Sequence, residues 1–200
     1  MIGILDYGLG NIASISNSLN KISKKNFFVS CKADFDKATH LIIPGVGSYL
    51  AAMQILKNKG FVIEIKNFAS KKPILGICLG MQILSSVGNE FKKVNGLDMI
   101  PGEIIKFTRQ ENPLSTNVGW MKIKPEINHK IFENIDFTVE FYFDHSYYFK
   151  PKLKENILAT SKINEEFCSC VVSEKTFGFQ FHLEKSHKNG LKILENFCNL

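Results

Sequence analysis

Two hundred residues, 44% hydrophobic and 22% charged, suit one globular domain over residues 1–200 that needs no disulfide staples. No apolar run reaches membrane-spanning length and no export signal opens the chain, so neither a membrane nor a secreted role is expected. The net charge of +6 comes mostly from scattered lysines, which argues against a nucleic-acid surface, and five cysteines without framework spacing point to the reducing cytosol.

Residues Met1–Leu5 read as a buried strand, followed by the glycine-rich turn Asp6–Asn11 and a helix with Ile12, Ile15, Leu19 and Ile22 on one face. Gly8-x-Gly10-x-x-Ala13 has the outline of a dinucleotide-binding loop, and Asp34 falls near the distance of that loop's acidic partner. Asp34 lies beyond the second strand, Phe27–Ser30, rather than at its end, so a tight strand-to-helix turn is the preferred reading. A third strand, His40–Ile43, runs into the loop Pro44–Gly47, and helical patterns follow over Tyr49–Asn58 and Phe61–Ser70.

Pro73 then opens an apolar strand, Ile74–Ile77. Cys78 comes next, and a helix is predicted from Leu79 to Val87, with Met81, Leu84 and Val87 at helical spacing. Gly76 and Gly80 flank the cysteine as Gly-x-Cys-x-Gly, the nucleophile-elbow pattern with sulfur in place of oxygen. Such a turn puts the sulfur at a helix N-terminus, where free N–H groups favour a thiolate and face any oxyanion beside it. The competing reading is a small cysteine buried in the core.

From residue 90 helical periodicity fades. Ile100–Phe107, Val118–Lys124, Thr138–Phe149 and Ile157–Ser161 read as strands, with a short helix near His129–Phe132. Most rings of the aromatic run Phe141–Phe149 are expected in the core. Cys168-x-Cys170 is too tight for a zinc-ribbon pair, and no metal site is expected. The fold class is therefore α/β: an open, mostly parallel sheet flanked by helices, with an antiparallel extension. The loops Asp6–Asn11, Pro44–Gly47 and Cys78 should share one rim at the C-terminal strand ends.

In the last strand, Phe177–Glu184, the odd positions are apolar, and the even positions are Gly178, Gln180, His182 and Glu184. A period of two puts His182 and Glu184 on one side, where the carboxylate can fix the imidazole tautomer. An edge strand with a solvated polar face is the alternative. His145, beside Asp144, is the second choice for the base, ahead of His40, His129 and His187. Lys185–Leu200 closes the chain as a helix with Leu191, Leu194 and Phe197 inward.

Gly76-Ile-Cys78-Leu-Gly80-Met-Gln82 together with His182-x-Glu184 resembles the class I (triad) glutamine amidotransferases, whose sheet has a flavodoxin-like core. Asp6–Asn11, Pro44–Gly47, Val118–Trp120, Tyr142–Tyr147 and Phe179–Ser186 narrow the resemblance to the glutaminase subunits of imidazole glycerol phosphate synthase, from end to end of the chain. The resemblance implies that Cys78 attacks the glutamine amide, His182 serves as acid and base, and Glu184 orients His182. It implies an oxyanion hole from the Leu79 N–H and the Val46–Gly47 peptide, and contacts to the substrate's amino-acid moiety from Gln82, Ser146 and Tyr147. No cofactor is implied. The partner would be a (β/α)₈-barrel cyclase of histidine biosynthesis, met as a heterodimer through Trp120 and Tyr142. Three residues depart from the family pattern: Leu183 stands for a proline, Asn117 for a histidine and Met121 for an asparagine. These departures raise the alternative of an ammonia supply to another acceptor such as a surface-sugar amidation enzyme; a catalytically inactive nucleotide-binding or regulatory module using the Gly8–Ala13 loop is a third reading.

Overall fold

The computed structural model describes residues 1–107, 116–163 and 165–200. Strands β1 (Ile2–Leu5), β2 (Asn26–Val29), β3 (His40–Ile43) and β4 (Ile74–Ile77) alternate with helices α1 (Ile12–Lys21), α2 (Asp34–Lys37), α3 (Tyr49–Asn58) and α4 (Phe61–Ala69). After β4 come the single-turn helix α5 (Leu79–Gln82) and strands β5 (Ser85–Gly88), β6 (Val94–Asn95), β7 (Ile100–Lys106), β8 (Asn117–Met121) and β9 (Lys124–Pro125). Strands β10 (Phe141–His145), β11 (Tyr147–Pro151), β12 (Ile157–Lys162), β13 (Glu166–Ser173) and β14 (Thr176–Phe179) precede the last helix, α6 (His187–Cys198).

The order β2-β1-β3-β4-β14 is parallel throughout, and β13, β11 and β7 continue it antiparallel toward β5 and β6. Alternation along the strands builds two cores. Ile4, Ile42, Leu75 and Phe179 pack with α1 and α6 on one face. Leu5, Leu41, Ile43 and Ile74 pack with α3 and α4 on the other.

Strand β14 enters the sheet roughly a hundred residues after β4 yet lies directly beside it, with Phe179 opposite Ile77. Both chains therefore leave the sheet at the same level, and that register brings the end of β14 to the cysteine turn. The Asp6–Asn11 and Pro44–Gly47 loops share this rim, tied by the Tyr7 hydroxyl donating to Pro44 O at 2.8 Å.

Besides the split of the expected Val118–Lys124 strand into β8 and β9 and the unpredicted helix α2, three differences from expectation bear on the site. The helix after Cys78 stops at Gln82, because the N–H groups of Leu97, Met99 and Ile100 take the Ile83 and Leu84 carbonyls and draw Ser85–Gly88 into the sheet beside β7. The strand predicted over Thr138–Phe149 breaks at Ser146, and β10 pairs with β8 in a separate two-stranded ribbon while β11 joins the main sheet. The last strand ends at Phe179, so His182 and Glu184 do not share a pleat. They meet instead across the 3₁₀ turn Leu183–Lys185, held by the Ser186 hydroxyl donating to His182 O at 2.6 Å. Leu183 itself is fully buried, and the Ser186 bond does the stiffening that a proline ring would supply.

Candidate active site

Cys78 sits at φ 54° and ψ −113°, a strained conformation for a residue with a side chain. Its N–H donates to Phe179 O at 2.8 Å, locking the turn to the end of β14. The flanking glycines are steric necessities: a Cβ on Gly80 would land on Ile43 O, and one on Gly76 would land on Gly80 O. The sulfur is buried, 3.8 Å from Asp144 O and 3.8 Å from Gln180 Nε2.

Beside it, His182 Nδ1 lies 2.8 Å from Glu184 Oε1, with side-chain exposures of 5% and 3%. That hydrogen bond assigns Nδ1 its proton and leaves Nε2 as the nitrogen that can exchange one. Burial lowers the imidazole pKa, but the Cys78 sulfur and the Glu184 carboxylate outweigh it and raise His182 to about 10. Both neighbours favour the protonated imidazole. The turn that carries it is tied to the ribbon, since His182 N–H donates to Tyr142 O at 2.9 Å and Tyr142 N–H to Ser186 Oγ at 3.1 Å.

Cys78 and His182 open into a cleft of about 270 Å³. Val46, Gly47, Leu79, Gln82, Ser146 and Tyr147 line the same cleft, so the residues singled out along the sequence converge here. Trp120 and Tyr142 stand outside it on the ribbon: the Trp120 ring stacks on His187 at 4.9 Å and meets Tyr142 edge-on at 5.7 Å. Two residues escaped the sequence reading. Glu90 lines the cleft and caps α3, its Oε2 accepting from Tyr49 N at 2.7 Å and Ser48 Oγ at 2.9 Å; it lies where no periodicity marks it. Gln180 has its signal in the even phase that it shares with His182 along the run Phe177–Glu184.

The competing bases have other partners, although His145 lines the same cleft. His145 places Nδ1 2.8 Å from Tyr147 O and Nε2 2.9 Å from Asn117 Nδ2, and burial lowers its pKa to about 4. His129 caps the 3₁₀ turn Lys130–Phe132, and His40 packs edge-on against Phe197. Asp34, the residue a dinucleotide loop would need, is occupied by Lys37 at 2.8 Å and by the Ser30 and Cys31 N–H groups. Cys168 and Cys170 are buried in β13. Among the described residues no cluster of His, Cys, Asp and Glu could hold a metal ion, and no helix is long and apolar enough to cross a membrane.

The two histidines set opposite limits on stability. His145 binds its proton less readily folded than unfolded, so stability falls as pH drops from about 6.5 toward 4. His182 binds its proton more readily folded, so its contribution is complete below about 6.5 and fades as pH rises toward 10. We expect the urea midpoint to be highest near neutrality, with the alkaline decline reduced in Glu184→Gln.

A strained cysteine at a strand-to-helix turn, with a histidine–carboxylate pair at the end of the neighbouring strand and one cleft shared by the cysteine and the histidine, resembles the layout of the triad hydrolases. The family model for "Glutamine amidotransferase class-I" matches residues 3–200, and the chain belongs to that family. It is 37% identical over 202 residues to "Imidazole glycerol phosphate synthase subunit HisH 2" of Pseudomonas aeruginosa, covering 100% of both chains. It is 40% identical to the protein of the same name in Methanococcus maripaludis, covering 98% of each, and 39% identical to "Imidazole glycerol phosphate synthase subunit HisH 1" of Campylobacter jejuni, covering 100% of each. Among solved structures, PurLQS from Thermotoga maritima has a similar fold at TM-score 0.78 and 18% identity, covering 99% of this chain and 97% of that one.

Proposed function

We propose that this chain, acting as one amidotransferase domain over residues 1–200, is the glutaminase subunit of an imidazole glycerol phosphate synthase. In this reading it supplies ammonia to a (β/α)₈ cyclase in histidine biosynthesis. The observation that carries the reading is Cys78 and the His182–Glu184 pair opening into one cleft, in a chain that matches subunits of that name along its whole length.

The Cys78 sulfur attacks the side-chain amide carbon, and the carbonyl electrons move onto oxygen. The Leu79 N–H at the start of α5 and an N–H from the Val46–Gly47 peptide receive that oxyanion. As the tetrahedral intermediate collapses, the C–N bond breaks and the His182 imidazolium gives the leaving nitrogen its proton, releasing ammonia. His182, now neutral, takes a proton from water, which attacks the thioester and frees glutamate and Cys78. Glu184 holds the ring throughout. Gln82 and the Ser146–Tyr147 backbone position the amino-acid moiety, with the Tyr147 carbonyl already taken by Gln82 Nε2 and His145 Nδ1, both at 2.8 Å. Glu90 gives the cleft a carboxylate able to face the substrate's ammonium group.

The partner docks on the outer face of the ribbon, where Val118 and Trp120 are exposed and Tyr142 is half-buried. Asn117 and Met121 point the other way: Asn117 is buried against His145, and Met121 packs on the core. The departures from the family pattern thus fall on the inner face, which weakens the case for a different acceptor. Gly47 has φ 98° and open space where a Cβ would stand, so its peptide is free to turn when a partner docks.

The test is glutamate release with and without the cyclase, together with rescue of a histidine auxotroph. Completing an oxyanion hole should raise turnover by about 100-fold, so we expect low activity alone, strong stimulation by the cyclase, and growth. Full activity without a partner would remove the gating, and failure to rescue by a folded, stimulated protein would favour the other acceptor.

A further inference from the structure

The Cys78 sulfur has a second polar neighbour besides the histidine side, one that the triad leaves unused. Gln180 is fully buried, and its own N–H is fixed to Ser169 O at 2.9 Å. The orientation of its carboxamide follows from a chain of bonds that begins at a backbone carbonyl. Tyr147 O can only accept, so the two groups 2.8 Å from it, Gln82 Nε2 and His145 Nδ1, must both present hydrogens. His145 Nε2 is then an acceptor, and Asn117 Nδ2 donates to it at 2.9 Å. Gln82 Nε2 spends its second hydrogen on Gln180 Oε1 at 3.1 Å. With Oε1 committed, Gln180 has only its amino group to turn toward Cys78 Sγ, 3.8 Å away.

We propose that Gln180 is a further catalytic residue, donating Nε2–H to the Cys78 thiolate and aimed at it by Gln82 and the Tyr147 carbonyl. This rests on the amidotransferase reading of Cys78 and adds to it. Asp144 O, also 3.8 Å from the sulfur, can receive only a thiol hydrogen, whereas the Gln180 amide favours the sulfur once that hydrogen has gone. A donor buried with its acceptor and held by a network that needs no reorganisation stabilises the charged form most. The titratable groups around the sulfur are His182 with Glu184 behind it, Tyr7 from the first loop, Asp144 and His145 from the ribbon, and Tyr49, Glu90, Tyr147 and Lys185 along the same cleft. Burial and the neighbouring sulfur hold the Tyr7 phenol far above its usual range, so Tyr7 stays neutral through the assay range.

Gln180→Glu keeps the side chain's length and an oxygen toward Gln82, and replaces only the donor that faces sulfur. Gln180→Met removes the polar end altogether. The readouts are the pH midpoint of Cys78 alkylation by iodoacetamide, followed on the Cys78 peptide by mass spectrometry, and kcat and KM for glutamine. A hydrogen bond to a charged group is lost in both variants, so we expect kcat to fall about tenfold in Gln180→Met and about 100-fold in Gln180→Glu. The alkylation midpoint should rise by about one unit or more in each, with KM within about twofold of the wild type. An unshifted midpoint in either folded variant overturns the proposal, whether activity holds or falls together with a rise in KM. Cys78→Ala separates the two levels. If that variant still hydrolyses glutamine, the amidotransferase reading fails; if it is inactive while the Gln180 variants match wild type, only the role of Gln180 fails.

Discussion

Cys78→Ala should lose glutamine hydrolysis by about 10⁴-fold or more, measured as glutamate release in the presence of the proposed cyclase partner. Removing the nucleophile of a triad abolishes the covalent route, and what remains comes only from binding and oxyanion donors. The fold should survive, because Cβ is kept and the turn is held by backbone bonds, Cys78 N–H to Phe179 O and Gln82 N–H to Cys78 O at 3.1 Å. On the proposed interface the variant should still bind the cyclase, since Trp120 and Tyr142 lie on the ribbon rather than at the elbow. A variant that folds, binds and retains turnover would leave the sulfur with no part in the chemistry.

Gly80→Ala should unfold the same turn from the inside. The added methyl would strike Ile43 O, a backbone atom in the strand that leads into the Pro44–Gly47 loop, and neither backbone can yield without breaking the β3–β4 register. Overpacking against an immovable neighbour costs about 3 kcal/mol or more, which for a domain this size lowers Tm by about 10 °C. Gly47→Ala is the useful contrast. A methyl there meets nothing, and the cost is confined to the positive φ, about 1 to 2 kcal/mol. Differential scanning calorimetry of the two variants distinguishes steric from conformational need for glycine, and equal Tm losses would contradict the close approach at Gly80.

Much of the parallel half of the sheet was legible in the chain. Short apolar runs such as Ile74–Ile77, which ends in a glycine-bearing turn as β1 and β3 do, carry their strand assignment locally, and the nearly matched bounds of α3 and α4 follow from one-sided apolar spacing. The helix after the elbow is shorter than its spacing predicts because Leu84 and Val87 keep helical spacing while long-range partners claim the Ile83 and Leu84 carbonyls. Such competition leaves no trace in periodicity. The break at Ser146 is of the same kind, since one aromatic run feeds two sheets and nothing local marks the change of partner.

Among the site residues, sequence alone singled out the candidate groups: a cysteine flanked by glycines that fit a sharp turn, and a histidine with a carboxylate two positions on. Local spacing can point to these because each feature is complete within a few residues. What joins them was decided only by the fold. The pairing of β14 beside β4, with Phe179 opposite Ile77, sets the distance between the sulfur and the imidazole, and a 3₁₀ turn rather than a pleat brings Glu184 to His182. Glu90 and the relay from Asn117 to Gln180 belong to that second category too. Their partners are far apart along the chain, and hydrogen bonds between distant segments exist only once the strand register has been chosen.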